Sequence, residues 1–301
     1  MKVTKKMRKE YKKIARQHTA KMAKKFKRQI EESAISTISL DRSVFDFEHR
    51  TRNAIKTNIT FVPDTTENLL TKIGGHDKIM VLDFANFTKP GGGFIRGAIA
   101  QEESLCHSSN LYNILMQHKD FYKRHKKFGV DKALGTNDAL FIPNVKFEVE
   151  NGANTDSYHS VNVLVVAAPN ARKFKHRWNF WFEENSYYYD CANDAALFDR
   201  INFVLKCAAV TNQKYLVLGA FGCGVFGQDP ETVASIFKEL LETTYKNVFK
   251  KVYFPVPYDP RNKNYTVFKN VFTKEITGGT EINGDTQVHE QEESADNSES
   301  V

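Results

Sequence analysis

Three consecutive glycines, Gly91, Gly92 and Gly93, stand seven residues ahead of Gln101, Glu102 and Glu103 in the stretch KPGGGFIRGAIAQEESL. Glycine lets a backbone bend freely and lets another molecule come close to it. A bare backbone beside paired carboxylates can hold a sugar phosphate while one acid works on it. The same words also describe an ordinary turn with a solvated helix start behind it. A second glycine-rich loop is GCGVFGQ, running from Gly222 through Cys223, Gly224, Val225 and Phe226. Its G-x-G-x-x-G spacing, after a strand and before a helix, is the dinucleotide-binding fingerprint of oxidoreductases. The context opposes that reading, because one clear strand follows and it lacks the ribose-binding acid. The physics of the loop survives: glycine amides at a helix N-terminus cradle a pyrophosphate in any fold. The chemistry expected is therefore a grip on a diphosphate and acid–base work by a carboxylate, without hydride transfer.

The elements that must position these loops follow from periodicity. Met7, Tyr11, Ile14, Ala15 and Met22 recur at helical intervals and predict one long helix over 6–33. Strands are expected at TNITFVP, at DKIMVLDFAN (77–86), at VNVLVVAAPN (161–170), at KYLVLGAF (214–221) and at KKVYFPVP. The continuous apolar runs among them suit strands buried on both faces. Helices are expected at TTENLLTKI, over 102–117, over 190–212 and over 230–247, the last with Asp229 as N-cap and Pro230 in its first turn. ALFIPNVKFEV reads as a strand or hairpin broken at Pro143, and KFKHRWNFWFEENSYYYD resists placement. Buried strands alternating with helices predict an α/β layered fold. Its active loops gather at the carboxyl ends of the strands. Those loops follow Phe84, Ala168, Ala220 and Val256, and offer Asn86, Asn170 with Arg172, the GCGVFG turn, and Tyr258 with Asp259.

A chain of 301 residues, 41% hydrophobic and 12% aromatic, is enough for one large domain or two modest ones. No apolar run approaches the roughly 20 residues of a membrane helix, and the charged amino terminus lacks a signal peptide's apolar core. Cys106, Cys191, Cys207 and Cys223 form no C-x-x-C pair and no zinc-finger spacing. Free thiols in an intracellular compartment, cytoplasmic or nuclear, are expected, with no metal and no cofactor. His107, His118 and His125 read as surface or satisfied packing, and Trp178 and Trp181 as core. The net charge of +7 divides sharply: residues 1–30 hold thirteen Lys or Arg against Glu10 alone, and the remainder is net negative. The tail from Thr277 has no Lys or Arg and seven acids. The basic segment is either a weak contact for a polyanion (nucleic acid, anionic lipid or an ADP-ribose polymer) or a solvated helix that aids solubility.

Two loops, their order and their wording resemble the microbial-type poly(ADP-ribose) glycohydrolases. The words that carry the likeness are LDFANFTKPGGGFIRGAIAQEESLCHSSNLY, VNVLVVAAPN and VLGAFGCGVFGQDPETVA, with RKEYKKIARQHT and FVPDTT before them. It covers about residues 8–257. The resemblance implies a macrodomain-like fold: a three-layer α/β/α mixed sheet with an amino-terminal helical extension. The expected division is a basic, mainly helical extension at 1–55, a catalytic domain at 56–276 and a disordered acidic tail at 277–301. It also implies hydrolysis of ribose–ribose bonds in ADP-ribose polymers, or in poly-ADP-ribosylated proteins, by a monomer. Glu103 matches the catalytic glutamate, and Glu102 the acid that helps orient the ribose. Asn86, Gly91, Gly92, Gly93 and Gln101 match the ribose side of the ADP-ribose site. Gly222, Cys223 and Gly224 match its diphosphate loop, and Val225 with Phe226 an apolar pair at the distal ribose. Residues 139–189 fit poorly, which leaves the adenine contacts open. Two alternatives stand beside this: a reader that binds ADP-ribose without cutting, and a hydrolase of mono-ADP-ribose. The paired acids favour cutting, since a glutamate of raised pKa can protonate the leaving oxygen and then activate water.

Overall fold

Ala15 and Met22 turn one side of α1 (Lys5–Lys25) toward the protein and leave its lysines in water. Thr4 caps the helix, its hydroxyl accepting from Met7 N at 3.2 Å. The single helix expected over 6–33 is in fact two. Phe26 leaves helical geometry (φ −121, ψ 27) and α2 (Lys27–Ile35) restarts behind it. The break brings the Phe26 ring edge-on to Tyr158 at 4.7 Å. In chain order there follow β1 (Ile38–Leu40), a 3-10 turn (Arg42–Asp46), β2 (Asn58–Val62), α3 (Thr66–Ile73) and β3 (Ile79–Phe84). A 3-10 turn (Phe94–Arg96) leads to α4 (Gln101–His107), α5 (Leu111–Leu115), α6 (Lys119–Lys127), β4 (Ala139–Glu148) and β5 (Tyr158–Val166). The chain continues with α7 (Ser186–Val210), β6 (Tyr215–Val217), α8 (Pro230–Glu242), β7 (Lys251–Pro255) and α9 (Asn264–Thr273). This computed structural model describes residues 4–48, 56–73, 75–76, 78–127, 133–149, 157–172 and 186–273. Trp178, Trp181, most of the aromatic-rich stretch and the acidic tail from 277 lie outside them.

The seven strands form one mixed sheet in the order β1-β4-β5-β3-β6-β7-β2. β5, β3, β6, β7 and β2 run parallel, while β4 is antiparallel to both β5 and β1. Two apolar clusters divide the alternate residues of β3. Met80 and Leu82 face one cluster with α7, α8 and Phe268 of α9. Ile79 and Val81 face the other, with α3, α4, α5, Phe121 and Tyr122 of α6, and Ala15 and Ile30 of the amino-terminal helices. The result is the three-layer α/β/α arrangement expected, its central strands covered on both sides. The two amino-terminal helices belong to one of these cores.

Three departures have local causes. The helix expected over 102–117 breaks at Ser108–Asn110, where the chain reaches across to β4. Ser109 bridges Phe147, and Asn110 Oδ1 accepts from Lys146 N at 3.0 Å. Pro143 does not end its strand; β4 absorbs it in a bulge between Ile142 and Val145, past the last residue paired with β1. The helix expected over 230–247 stops at Glu242, though Asp229 caps its start as read, accepting from Thr232 N at 2.8 Å.

Candidate active site

The carboxyl ends of the five parallel strands share one edge of the sheet, and a cleft of about 470 Å³ opens there. That is within the range of small-molecule sites. Every loop named from the sequence sends residues to it. Asn86 follows β3, Ala168 follows β5, Gly222, Gly224, Val225 and Phe226 follow β6, and Val256 and Asp259 follow β7. Thr65 and Thr66, after β2, were not foreseen. Gln101, Glu102 and Glu103 form the facing wall from the first turn of α4. The paired acids and the second glycine loop, far apart along the chain, therefore meet across one cavity. Gly91, Gly92 and Gly93 do not line it, contrary to the expectation that they touch the ligand; they pack behind the acids instead.

The spacing of the opening motif has a steric cause. Gly91 and Gly92 hold left-handed conformations (φ 63 and 56) that only glycine adopts without strain. A β-carbon on Gly92 would stand 2.6 Å from Glu103 Oε1 and 2.7 Å from Glu102 Oε2. The glycine bend thus backs both carboxylates directly. Backbone amides hold them: Gly93 N of the bend donates to Glu103 Oε1 at 2.7 Å, and Asn86 N, just past β3, donates to Glu102 Oε2 at 2.8 Å. Gln101 has another task. Its Oε1 accepts from Phe84 N and its Nε2 donates to Leu82 O, each at 2.8 Å. The amide extends the ladder of β3 past its last pair with β6, and so fixes α4 to the sheet. Asn86 Oδ1 closes a turn by accepting from Thr88 N at 3.0 Å, and among the described residues its Nδ2 has no acceptor.

A third acid stands behind the pair. Asp83, on β3, is fully buried, and neither carboxylate oxygen has a hydrogen-bond partner among the described residues. Burial, and then the charge of Glu103, hold its pKa well above the usual carboxylate value. Burial also raises Glu102 well above its usual value, with Asp83 and Glu103 adding to the effect and the backbone amides of Asn86 and Gly91 opposing it. Glu102 and Glu103 are both buried, and Glu102 Oε1 has no partner among the described residues. Sequence reasoning missed Asp83. The available signal was a lone carboxylate inside a strand covered on both faces, a placement that costs free energy unless the group is neutral or paired.

The second glycine loop faces the acids as a bare turn. Gly222 takes φ 79, where a β-carbon would press Gln228 and Ala168 at 2.8 and 2.9 Å, whereas nothing lies within 4 Å of one on Gly224. Among the described residues the N–H groups of Gly224, Val225 and Phe226 find no acceptor. The loop leads straight into the N-terminus of α8. Gln228 anchors it, exchanging paired amide bonds with Asn193 of α7 at 2.8 and 2.9 Å and donating to Pro169 O at 2.8 Å. Val225 is exposed at the mouth, and Phe226 is half-buried against the core. Cys223 does not line the cleft; its thiol turns to Phe221 O at 3.8 Å. Asn170 and Arg172 also stay out of the lining: Asn170 is buried, and the Arg172 side chain packs on Gly227.

Behind the cleft, Arg200 of α7 is fully buried and donates to Asn137 Oδ1, to Leu134 O and to Ala167 O. Its guanidinium also lies over the Phe87 ring, 5.5 Å from the centroid. Burial lowers its pKa to about 9. One cation thereby ties the loops after β3 and β5 together. The histidines correct an expectation. His125 is satisfied by Phe121 O and Asp138, but His107 and His118 each bury an Nε2 without a partner among the described residues. Burial lowers both, His107 to about 4, so they are held neutral.

Fold and site define a macrodomain-like α/β protein. Residues 4–148 match the family model described as microbial-type PARG, catalytic domain, the family the sequence resembles. Poly(ADP-ribose) glycohydrolase from Deinococcus radiodurans, solved in complex with ADP-ribose, is 28% identical over 81% of this chain and 97% of that one, with a TM-score of 0.69. The enzyme from Thermomonospora curvata is 26% identical over 88% of this chain and 100% of that one, with a TM-score of 0.74. The same enzyme bound to the inhibitor ADP-HPD is 26% identical over 87% and 98%, with a TM-score of 0.71. No curated protein sequence matches. The chain is thus similar to the microbial-type poly(ADP-ribose) glycohydrolases in its family pattern and in its three-dimensional structure.

Proposed function

We propose that this protein is a poly(ADP-ribose) glycohydrolase. It is a glycosidase that hydrolyses ribose–ribose O-glycosidic bonds and releases ADP-ribose. The observation that carries the reading is the joint placement of Glu102 and Glu103 against Gly92, facing the bare Gly222–Gly224 turn across one cleft. The similarity to glycohydrolases solved with ADP-ribose and with an inhibitor supports it. In this reading the turn after β6 receives the substrate pyrophosphate on the amides of Gly224, Val225 and Phe226. Asn86 Nδ2 is free to donate to a ribose hydroxyl.

Glu103 then acts twice. In its acid form it protonates the departing glycosidic oxygen as the bond from the ribose anomeric carbon breaks and positive charge develops on the sugar. The resulting carboxylate takes a proton from water, whose oxygen bonds to the anomeric carbon. Glu103 is restored, and ADP-ribose and a shortened polymer leave. Burial favours the neutral forms of Asp83 and Glu102, which opposes three adjacent charges in the trio. General acid help contributes about 10² to 10⁴ in rate, and the grip on the diphosphate contributes by positioning. The positive segment 1–30 supports a weak polyanion contact outside the cleft. We take the working unit as a monomer. Four free cysteines support an intracellular compartment, cytoplasmic or nuclear, and no helix among the described residues is long and apolar enough to cross a membrane.

The test is incubation of the purified protein with labelled polymer beside a Glu103→Gln variant. Wild type releases ADP-ribose; the variant releases none but keeps its affinity for free ADP-ribose. Wild type that binds polymer and releases nothing would make the protein a reader and end the hydrolase reading.

A further inference from the structure

The ten basic residues of α1 cover its solvent-facing side, and the place of several of them relative to the catalytic loop gives them a use. Lys5, Lys9, Lys12 and Arg16 recur at intervals of four, three and four residues, so they lie along one flank of the helix. That flank meets the loop that carries the glycine triplet. Gly97 closes the 3-10 turn after Gly93 in a left-handed conformation (φ 75), and a β-carbon there would stand 2.3 Å from Arg8 O and 3.1 Å from Lys12 N. The loop itself adds two cations, Lys89 and Arg96, both exposed. Among the described residues none of these six side chains has an acidic or hydrogen-bonding partner. Lys21 and Lys25 on the same helix differ: Lys21 pairs with Glu148 at 2.9 Å, and Lys25 sits over the Tyr158 ring. Unpaired cations therefore run from the back of the catalytic loop along the first three turns of α1, a strip of about 16 Å at the helical rise.

We propose that this strip is a track for the part of an ADP-ribose polymer that lies beyond the bond being cut. The inference rests on the hydrolase reading of the cleft. With the unit to be released held between the Gly222–Gly224 turn and Glu103, the rest of the chain leaves past the glycine bend, onto Lys89 and Arg96 and then α1. Each further unit carries a doubly ionised pyrophosphate, which spaced cations on a rigid helix match. A nucleic acid would use the same charges but has no reason to meet them at the catalytic loop.

The experiment compares the full chain with a Lys5→Glu, Lys9→Glu, Lys12→Glu, Arg16→Glu variant. Both are made in the Glu103→Gln background, so that polymer is held uncut and binding is read whether or not the protein hydrolyses it. Affinities for long polymer, for free ADP-ribose and for a DNA duplex are measured across a salt series. The variant is expected to bind polymer at least about tenfold more weakly, with the slope of log affinity on log salt smaller by about 3, as four lost phosphate contacts require. Its affinity for free ADP-ribose, which fills the cleft alone, is expected to be unchanged. Equal polymer affinity and equal slope overturn the proposal. A loss confined to the duplex also overturns it and assigns the strip to nucleic acid. Should charge reversal disturb folding, seen as lost ADP-ribose affinity, the corresponding glutamine variant is read by the same criteria. Failure of wild type to release ADP-ribose is a separate result, and it sinks the hydrolase reading without touching the binding comparison.

Discussion

Asp83 sits at the bottom of the acid trio with neither oxygen bonded among the described residues, and this has a measurable consequence. A carboxylic acid held well above its usual pKa by burial keeps its proton in the folded chain at pH values where the unfolded chain has lost it. The folded state then binds more protons than the unfolded one, so stability falls as pH rises from about 4 toward the folded value. Glu102 contributes in the same direction. Asp83→Asn imitates the protonated form. Thermal melts between pH 5 and 8 should show a shallower decline for the variant than for wild type, with the largest gain at the alkaline end. Parallel stability curves would show that Asp83 ionises normally. Gly92 belongs to the same scale: the acids occupy the space a β-carbon would take, so the triplet and Gln-Glu-Glu are one steric unit. That unit was legible as a spacing. Asp83 was not, because nothing along the chain shows that its side chain meets the first turn of α4.

At the scale of elements, the site depends on how loops are anchored, and the anchors are polar side chains that carry no motif. Gln228 and Asn193 exchange amide bonds, and Gln228 also takes up Pro169 O, so the turn after β6, the loop after β5 and α7 are held as one piece. Gln228→Ala leaves buried groups unpaired, a loss of about 1–3 kcal/mol that falls on the geometry of the glycine turn. Titration with free ADP-ribose should show affinity weakened about tenfold, since 1.4 kcal/mol corresponds to that factor. The rate constant for bond cleavage at saturating polymer should change less, because the acids of α4 are not moved. An unchanged affinity would mean that the turn holds its shape without this clamp. The turn itself was read from its glycines, whereas its clamp required knowing that α7 passes behind it. Similar reasoning covers Phe26 and Pro143: apolar periodicity predicted a helix and a broken strand, and tertiary contacts supplied a helix break and a bulge.

For the whole molecule, the amino-terminal helices are part of a shared core. Ala15 and Ile30 lie in the cluster that holds Leu105, Leu111 and Phe94, and Gly97 packs on the α1 backbone. Burying a full apolar side chain stabilises by about 1.5–3 kcal/mol, and a domain's total stability is about 5–15 kcal/mol. Removal of residues 1–30 should therefore lower the thermal midpoint by on the order of 10 °C or yield aggregated protein. A truncated chain that melts with wild type would show these helices to be dispensable cover. The charge of this segment was plain in the sequence, but its attachment was not.

What the sequence determined by itself is local and periodic. It set the buried strands and their helices, the glycines that free a backbone, the acids seven residues on, and the capped start of α8, because each depends on neighbours within a few positions. What only the tertiary structure decided is which of these face one another. The sheet order sets the paired glutamates and the second glycine loop across one cleft, puts Asp83 beside those glutamates, and lays a basic helix along the catalytic loop. These pairings join residues many positions apart, and their energies come from burial and close contact that a linear pattern does not contain.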